Sequence, residues 1–104
     1  MSIFTKITSI TNDQLIEKMR GDKGIQIIDV RVKERYEKGH IPGAPNVPWK
    51  QIKAGNYHPD GKVYIICHSG VDSRKSAKKL TAMGYDVVNV SGGMVSWDGP
   101  ITKY

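Results

Sequence analysis

Val63-Tyr64-Ile65-Ile66-Cys67-His68-Ser69-Gly70-Val71-Asp72-Ser73-Arg74 decides the fold. The run up to Ile66 is apolar and β-branched, as in a buried strand, and it stops at Cys67, the only cysteine of the chain. A loop of small and polar residues with one glycine follows, and residues 75–83 read as a helix. Its Ala77, Leu80 and Met83 share one face, with Lys75, Lys78 and Lys79 mainly on the other. In an open α/β sheet, ligands bind in the crevice at the carboxyl ends of the strands. A sulfur at that place faces the positive end of the next helix and a series of backbone N–H groups, both of which favour a thiolate. Cys67 therefore reads as a nucleophile and the loop as its anion cradle. The competing reading is a small buried hydrophobe. The end of the apolar run at Cys67, the polar residues after it and the helix start argue against that.

Working outward, residues 25–30 form a second, nearly continuous apolar run, expected of a parallel strand covered on both faces. It exits through Asp29-Val30-Arg31. Two opposite charges there read first as a local ion pair or a helix cap, and second as part of the rim of the Cys67 crevice. Residues 32–38 are dense in charge and predict a short helix. In Gly39-His40-Ile41-Pro42-Gly43-Ala44, proline followed by glycine suits a type II turn. A histidine beside such a turn is more often a structural hydrogen-bonder than a catalytic base, and His40 is read so. Pro45 and Pro48 leave room for only a very short strand between them. One or two helical turns are expected over residues 49–54, then a turn-rich loop in which His58 has no assigned role.

At the amino end, residues 3–10 predict a first strand. Thr11 or Asn12 then caps a helix, with Gln14 capping back, and Gly21 to Gly24 ends it. Beyond the cysteine helix, Gly84 is a C-cap candidate and residues 85–90 predict a further strand. Ser91-Gly92-Gly93 turns into a short segment ending at Trp97. Strands alternating with helices predict one α/β domain over residues 1–104, with a largely parallel sheet.

The chain has 104 residues, 38% hydrophobic and 25% charged, ordinary for a globular domain with one modest core. No apolar run reaches the ~20 residues of a membrane span, and no secretory signal opens the sequence. With one cysteine, no internal disulfide and no export signal, a reducing cytoplasmic setting is expected. The net charge of +6 is spread along the chain, without a basic stripe interleaved with aromatics. That speaks against nucleic acid and for a small anionic substrate or an acidic protein.

Taken together, Asp29-Val30-Arg31, Tyr36, Gly39-His40-Ile41-Pro42-Gly43-Ala44, Cys67-His68-Ser69-Gly70 and Gly92-Gly93 with Trp97 resemble the single-domain rhodanese family of sulfurtransferases. The resemblance runs from about Ile25 to Pro100. It implies a rhodanese-like α/β fold, with about five mostly parallel strands flanked by helices on both faces. It also implies ping-pong transfer of a sulfane sulfur from a donor such as thiosulfate, through a Cys67 persulfide, to cyanide or a thiol. The persulfide-binding loop would be His68, Ser69, Gly70, Val71, Asp72 and Ser73, with Asp29, Arg31, His40 and Arg74 in support. No metal or organic cofactor is implied. The partners expected are a small anionic sulfur donor and a thiol or protein acceptor, for a monomer in the cytoplasm.

Three departures from the family pattern carry expectations of their own. Single-domain relatives often carry Arg five residues after the cysteine, where Asp72 stands here, and Arg74 is expected to compensate. Arg35 replaces the acidic residue that usually precedes the aromatic at Tyr36, which would leave Arg31 to Glu34 or Glu37. The short tail after Trp97 implies a reduced last helix. Two other readings remain open. Cysteine phosphatases and arsenate reductases use a similar loop but place Arg six residues after the cysteine, where this chain has Ser73. A slow persulfide carrier or protein-docking module is the other, motivated by Asp72 and by Lys75, Lys78 and Lys79.

Overall fold

The computed structural model describes residues 6–103. Four parallel strands form one sheet in the order β1-β4-β3-β2: β1 is Thr8–Ile10, β2 Gln26–Asp29, β3 Val63–Ile66 and β4 Val87–Val90. The helices are α1 (Asn12–Gly21), α2 (Lys33–Glu37), α3 (Trp49–Lys53) and α4 (Val71–Ala82), followed by a 3-10 turn at Met94–Ser96. The expected first strand is shorter than residues 3–10. Lys6 and Ile7 lie outside it, and Ile3 to Thr5 fall outside the described residues.

β3 and β4 are buried along their whole length, because α-helices cover both faces of the sheet. Alternate residues of each strand serve different cores. Val63, Ile65 and Cys67 pack with Ile28, Val30, Ile52, Ala77 and Leu80 on the side of α3 and α4. Tyr64 and Ile66 pack with Leu15, Ile27, Ile41 and Val88 on the side of α1. The period of two along a strand thus becomes two apolar layers.

The expected fifth strand around Pro45–Val47 is reduced to a single parallel bridge, Asp29 to Asn46. Asp29 N–H donates to the Pro45 carbonyl and Val47 N–H to the Asp29 carbonyl. Pro45 and Pro48 have no N–H to extend the ladder in either direction.

Local signals in the chain set the helix ends. Thr11 is the N-cap of α1 in a full capping box: its hydroxyl accepts from Gln14 N–H at 3.1 Å, and Gln14 Oε1 accepts from Thr11 N–H at 2.9 Å. At the end of α4, Gly84 has φ +94°. There Gly84 N–H donates to the Thr81 carbonyl and Tyr85 N–H to the Leu80 carbonyl, the paired bonds of a Schellman motif. The start of α4 differs from expectation, lying at Val71 rather than residue 75. Gly70, at φ +93°, reverses the chain so sharply that Val71 to Arg74 already form the first helical turn, with Arg74 N–H donating to the Gly70 carbonyl.

The turn after α2 is as the sequence predicts. Ala44 N–H donates to the Ile41 carbonyl, and Gly43 supplies φ +82°. No further helix follows Trp97 among the described residues; instead Thr102 makes an antiparallel bridge to His40. No helix among them is long and apolar enough to cross a membrane.

Candidate active site

β3 delivers Cys67 to the carboxyl end of the sheet, and Gly70 turns the loop into α4. The Cys67 side chain is buried, and two polar groups meet its sulfur. Gly70 N–H donates to Sγ at 3.0 Å, and Ser73 Oγ lies 3.3 Å away. The thiol donates to that hydroxyl, and a thiolate would accept from it. Ser73 is fully buried in the first turn of α4, so its hydroxyl is held against the sulfur.

The loop is locked from the other side by the segment after β4. Met94 N–H donates to the Cys67 carbonyl at 2.7 Å and Val95 N–H to the His68 carbonyl at 2.9 Å. This clamp requires glycine at position 93. Its φ is +72°, and a Cβ there would sit 2.4 Å from the His68 carbonyl oxygen. Gly70 is equally constrained, since its Cβ would meet the Ser91 carbonyl oxygen at 2.4 Å. Of the Gly92-Gly93 pair noted in the sequence, Gly93 is therefore the one that lets the segment close on the cysteine loop, while Gly92 lies against the Asn12 side chain.

In front of Cys67 is a cavity of about 270 Å³ lined by Arg31, Val32, Arg35, His68, Ser69, Val71 and Asp72. Asp72 lines this cavity, and it also stands in the first turn of α4, where a carboxylate is favoured by the helix dipole. Arg74 is not among the lining residues, so the expected compensation for Asp72 does not come from it. The cations that do line the cavity are Arg31 and Arg35. Arg35 Nη1 donates to His68 Nδ1 at 3.3 Å, which fixes the His68 proton on Nε2 in this arrangement. The sequence marked Arg35 only as a departure from a pattern and did not place it at the site. No local periodicity could have done so, because α2 and the cysteine loop meet only through the fold.

Asp29 and Arg31 form the local ion pair, not the pairing of Arg31 with Glu34 or Glu37. Arg31 Nη2 lies 2.7 Å from Asp29 Oδ2 and Nε 3.0 Å from Oδ1, and Oδ1 also accepts from the Arg31 backbone N–H. Asp29 is fully buried, and Arg31 Nη2 donates further to the Gly39 carbonyl. The chain turns directly after β2, folding Arg31 back over Asp29, whereas Glu34 and Glu37 project from α2.

His40 is buried away from this cavity. Its ring stacks on Tyr36 with centroids 3.7 Å apart, and Nδ1 donates to the Tyr36 carbonyl at 2.8 Å. His40→Ala is expected to lower stability by roughly 2 kcal/mol or more, through the lost stacking, hydrogen bond and packing. Turnover per folded molecule should be unchanged. Melting temperature and specific activity measured on the same sample check this. A specific loss of activity at unchanged melting temperature would give His40 a chemical role.

A larger groove, about 780 Å³, lies elsewhere, along α1 and the segment from Asp98 to Pro100, and shares no residue with the cysteine cavity. It carries Asp13, Glu17, Asp22, Asp98, Arg20 and Lys23 around an apolar floor, without a cysteine, serine or histidine.

The sheet is parallel and presents the chain's single cysteine to a loop closed by a helix N-terminus, within one α/β architecture. The chain belongs to the rhodanese-like domain family, whose profile matches residues 11–99. It is similar to the putative sulfurtransferase YtwF of Bacillus subtilis, 35% identical over 96 residues covering 90% of this chain and 93% of YtwF. It is also similar to the putative sulfur carrier protein YrkF of the same organism, 36% identical over 98 residues. That match covers 91% of this chain but 53% of YrkF, so the chain spans about half of that relative. Among solved structures, a rhodanese-like domain protein from Staphylococcus aureus superposes with a TM-score of 0.84 at 38% identity, covering 94% of this chain and 99% of that one. The rhodanese-like α/β fold expected from the sequence is the one found, with four strands instead of about five.

Proposed function

We propose that this chain is a sulfurtransferase that takes a sulfane sulfur from a small anionic donor such as thiosulfate and carries it as a Cys67 persulfide. One observation carries the reading: Cys67 Sγ, alone at the end of β3, is held by Gly70 N–H and Ser73 Oγ behind a cavity of about 270 Å³ with two guanidinium groups on its wall. That volume suits a small anion better than a drug-sized ligand.

In the first half-reaction the Cys67 thiolate attacks the outer sulfur of thiosulfate. A bond forms from Sγ to that sulfur, the sulfur–sulfur bond of thiosulfate breaks, and sulfite leaves with the electron pair. In the second, cyanide or a thiolate attacks the terminal sulfur of the persulfide, and the Cys67 thiolate leaves. This is covalent catalysis by an activated thiolate. The Gly70 N–H and the positive end of α4 stabilise the Cys67 thiolate, the nucleophile of the first half-reaction and the leaving group of the second, at no cost in reorganisation. Arg35, at the rim, offers charge to the leaving sulfite. A persulfide carrier with slow thiosulfate turnover is the second reading, favoured by one feature: the Asp72 carboxylate on the cavity wall repels a dianion.

Thiocyanate formation from thiosulfate and cyanide tests the proposal and separates the two readings by its rate. Asp72→Arg is expected to raise kcat/KM for thiosulfate several-fold, by removing one negative charge from the wall and adding a positive one. It should cost a few tenths of a kcal/mol in stability, because a cation replaces an anion at the α4 N-terminus. An unchanged or lower kcat/KM in the folded variant would show that the carboxylate does not limit the donor.

A further inference from the structure

We infer that the face around Cys67 is built to receive a protein acceptor whose thiol sits in an acidic and partly apolar segment, not a free small thiol. The inference rests on the persulfide reading and names the acceptor class for the same site.

Two features of the surface carry it. The first is apolar exposure. Val32, Val71 and Val95 are 55%, 57% and 62% exposed, and they are three of the five large hydrophobic residues most open to water among those described. Val32 and Val71 flank the mouth of the Cys67 cavity. Val95 lies in a second cavity of about 480 Å³, which adjoins the first through their shared Arg31, Arg35 and His68. Nothing in the cysteine chemistry needs three exposed valines around the nucleophile. Exposed apolar groups gathered at one place mark a surface that another molecule covers.

The second feature is charge. The adjoining cavity is lined by Arg31, Arg35, Lys38, His68, Met94 and Val95 and by no carboxylate. Arg31 is neutralised by Asp29, and Lys33 of α2 faces Glu37 at 4.0 Å. Neither Arg35 nor Lys38 has a carboxylate within 4.0 Å among the described residues. These two cations and the valines form a track leading away from the sulfur, too long for cyanide or a small thiol to use. Its complement is an extended segment with acidic and apolar side chains that brings its own cysteine to Cys67. The lysines of α4 expected from the sequence to serve as a docking surface (Lys75, Lys78, Lys79) line neither cavity.

The transfer balances without further reagents. The acceptor thiolate attacks the terminal sulfur of the Cys67 persulfide, a new sulfur–sulfur bond forms on the acceptor, and the Cys67 thiolate leaves with the electron pair.

The test uses two synthetic cysteine peptides as probes, one with Asp and Leu flanking the cysteine and one with Lys and Leu, offered to persulfide-loaded protein. Sulfur transfer to the acidic peptide should be about tenfold faster at low salt, and the advantage should shrink as ionic strength rises. Lys38→Glu, outside the reacting atoms, should reverse the preference and leave transfer to cyanide unchanged. Val95→Asp should slow the acidic peptide by several-fold with cyanide again unaffected. Equal rates for the two peptides, or a preference that neither salt nor Lys38→Glu alters, would overturn the inference while leaving the persulfide intact. Failure to load a persulfide at all would instead strike the proposed function. Melting temperatures of both variants confirm that folded protein is compared.

Discussion

Cys67→Ser is expected to reduce sulfane-sulfur transfer to the background of the buffer while keeping the protein folded. The chemical reason is the nucleophile. A serine hydroxyl is essentially un-ionised at neutral pH and oxygen is a poor nucleophile toward sulfane sulfur, so the attack on thiosulfate is lost along with the means of carrying the sulfur. The structural reason for an intact fold is that the two groups around Sγ are polar. Gly70 N–H donates to it at 3.0 Å and the Ser73 hydroxyl lies 3.3 Å away, so a hydroxyl at position 67 finds partners for its polarity. The change in volume is small, and the neighbouring Ile65 and Ala77 are untouched. Thiocyanate production and thermal unfolding, measured side by side, check both halves. Residual turnover near that of the wild type would remove Cys67 from the mechanism.

Asp29→Ala is expected to have the largest effect on stability, a loss of about 3–5 kcal/mol. Asp29 is 0% exposed and Arg31 9%. Removing the carboxylate leaves a buried guanidinium whose charge is uncompensated, and strips the Arg31 backbone N–H of its acceptor. The Gly39 carbonyl remains for Nη2 but carries no full charge. Against a typical total of about 5–15 kcal/mol for a domain, such a loss leaves little margin. The melting temperature should fall by well over about 10 °C. Urea unfolding of the two proteins measures the difference directly. A loss under about 1 kcal/mol would mean that the pair is effectively solvated and that the turn after β2 holds without it.

Much of this arrangement was legible in the residues. The β-branched runs ending at Asp29 and Cys67 announce parallel strands because burial on both faces removes the need for polar alternation. Thr11 with Gln14, Pro42 with Gly43, and Gly84 are local devices, and local devices are what a sequence displays most openly. The misplaced start of α4 has a different character. Val71, Asp72 and Ser73 are modest helix formers, and only the left-handed turn at Gly70 lets the helix begin among them. Pro45 and Pro48 announced a weak strand, and the sheet kept just one bridge of it.

The harder part of the site was what the fold brings together over distance. Cys67 could be singled out by its place at the end of a strand. Ser73 could be put in its loop, but the approach of its hydroxyl to Sγ depends on the earlier helix start. The partner of Arg31 turned on whether its side chain folds back after Val30 or reaches along α2, and the folded-back position lets it bond both Asp29 and the Gly39 carbonyl. Arg35 is the clearest case. In the sequence it is one charge in a charged helix, and in the fold it hangs over the cavity of a cysteine thirty-two positions later. Equally, Arg74 stands close to the loop in sequence, yet the helix carries it past the cavity.

The central claim is that Cys67 accepts and holds a sulfane sulfur. It is tested most directly by intact-protein mass spectrometry after incubation with thiosulfate in the absence of reductant, on the wild type and Cys67→Ser. The account predicts a gain of one sulfur in the wild type, absent from Cys67→Ser and removed from the wild type by cyanide. An unchanged mass in the wild type, or the same gain in Cys67→Ser, would contradict it.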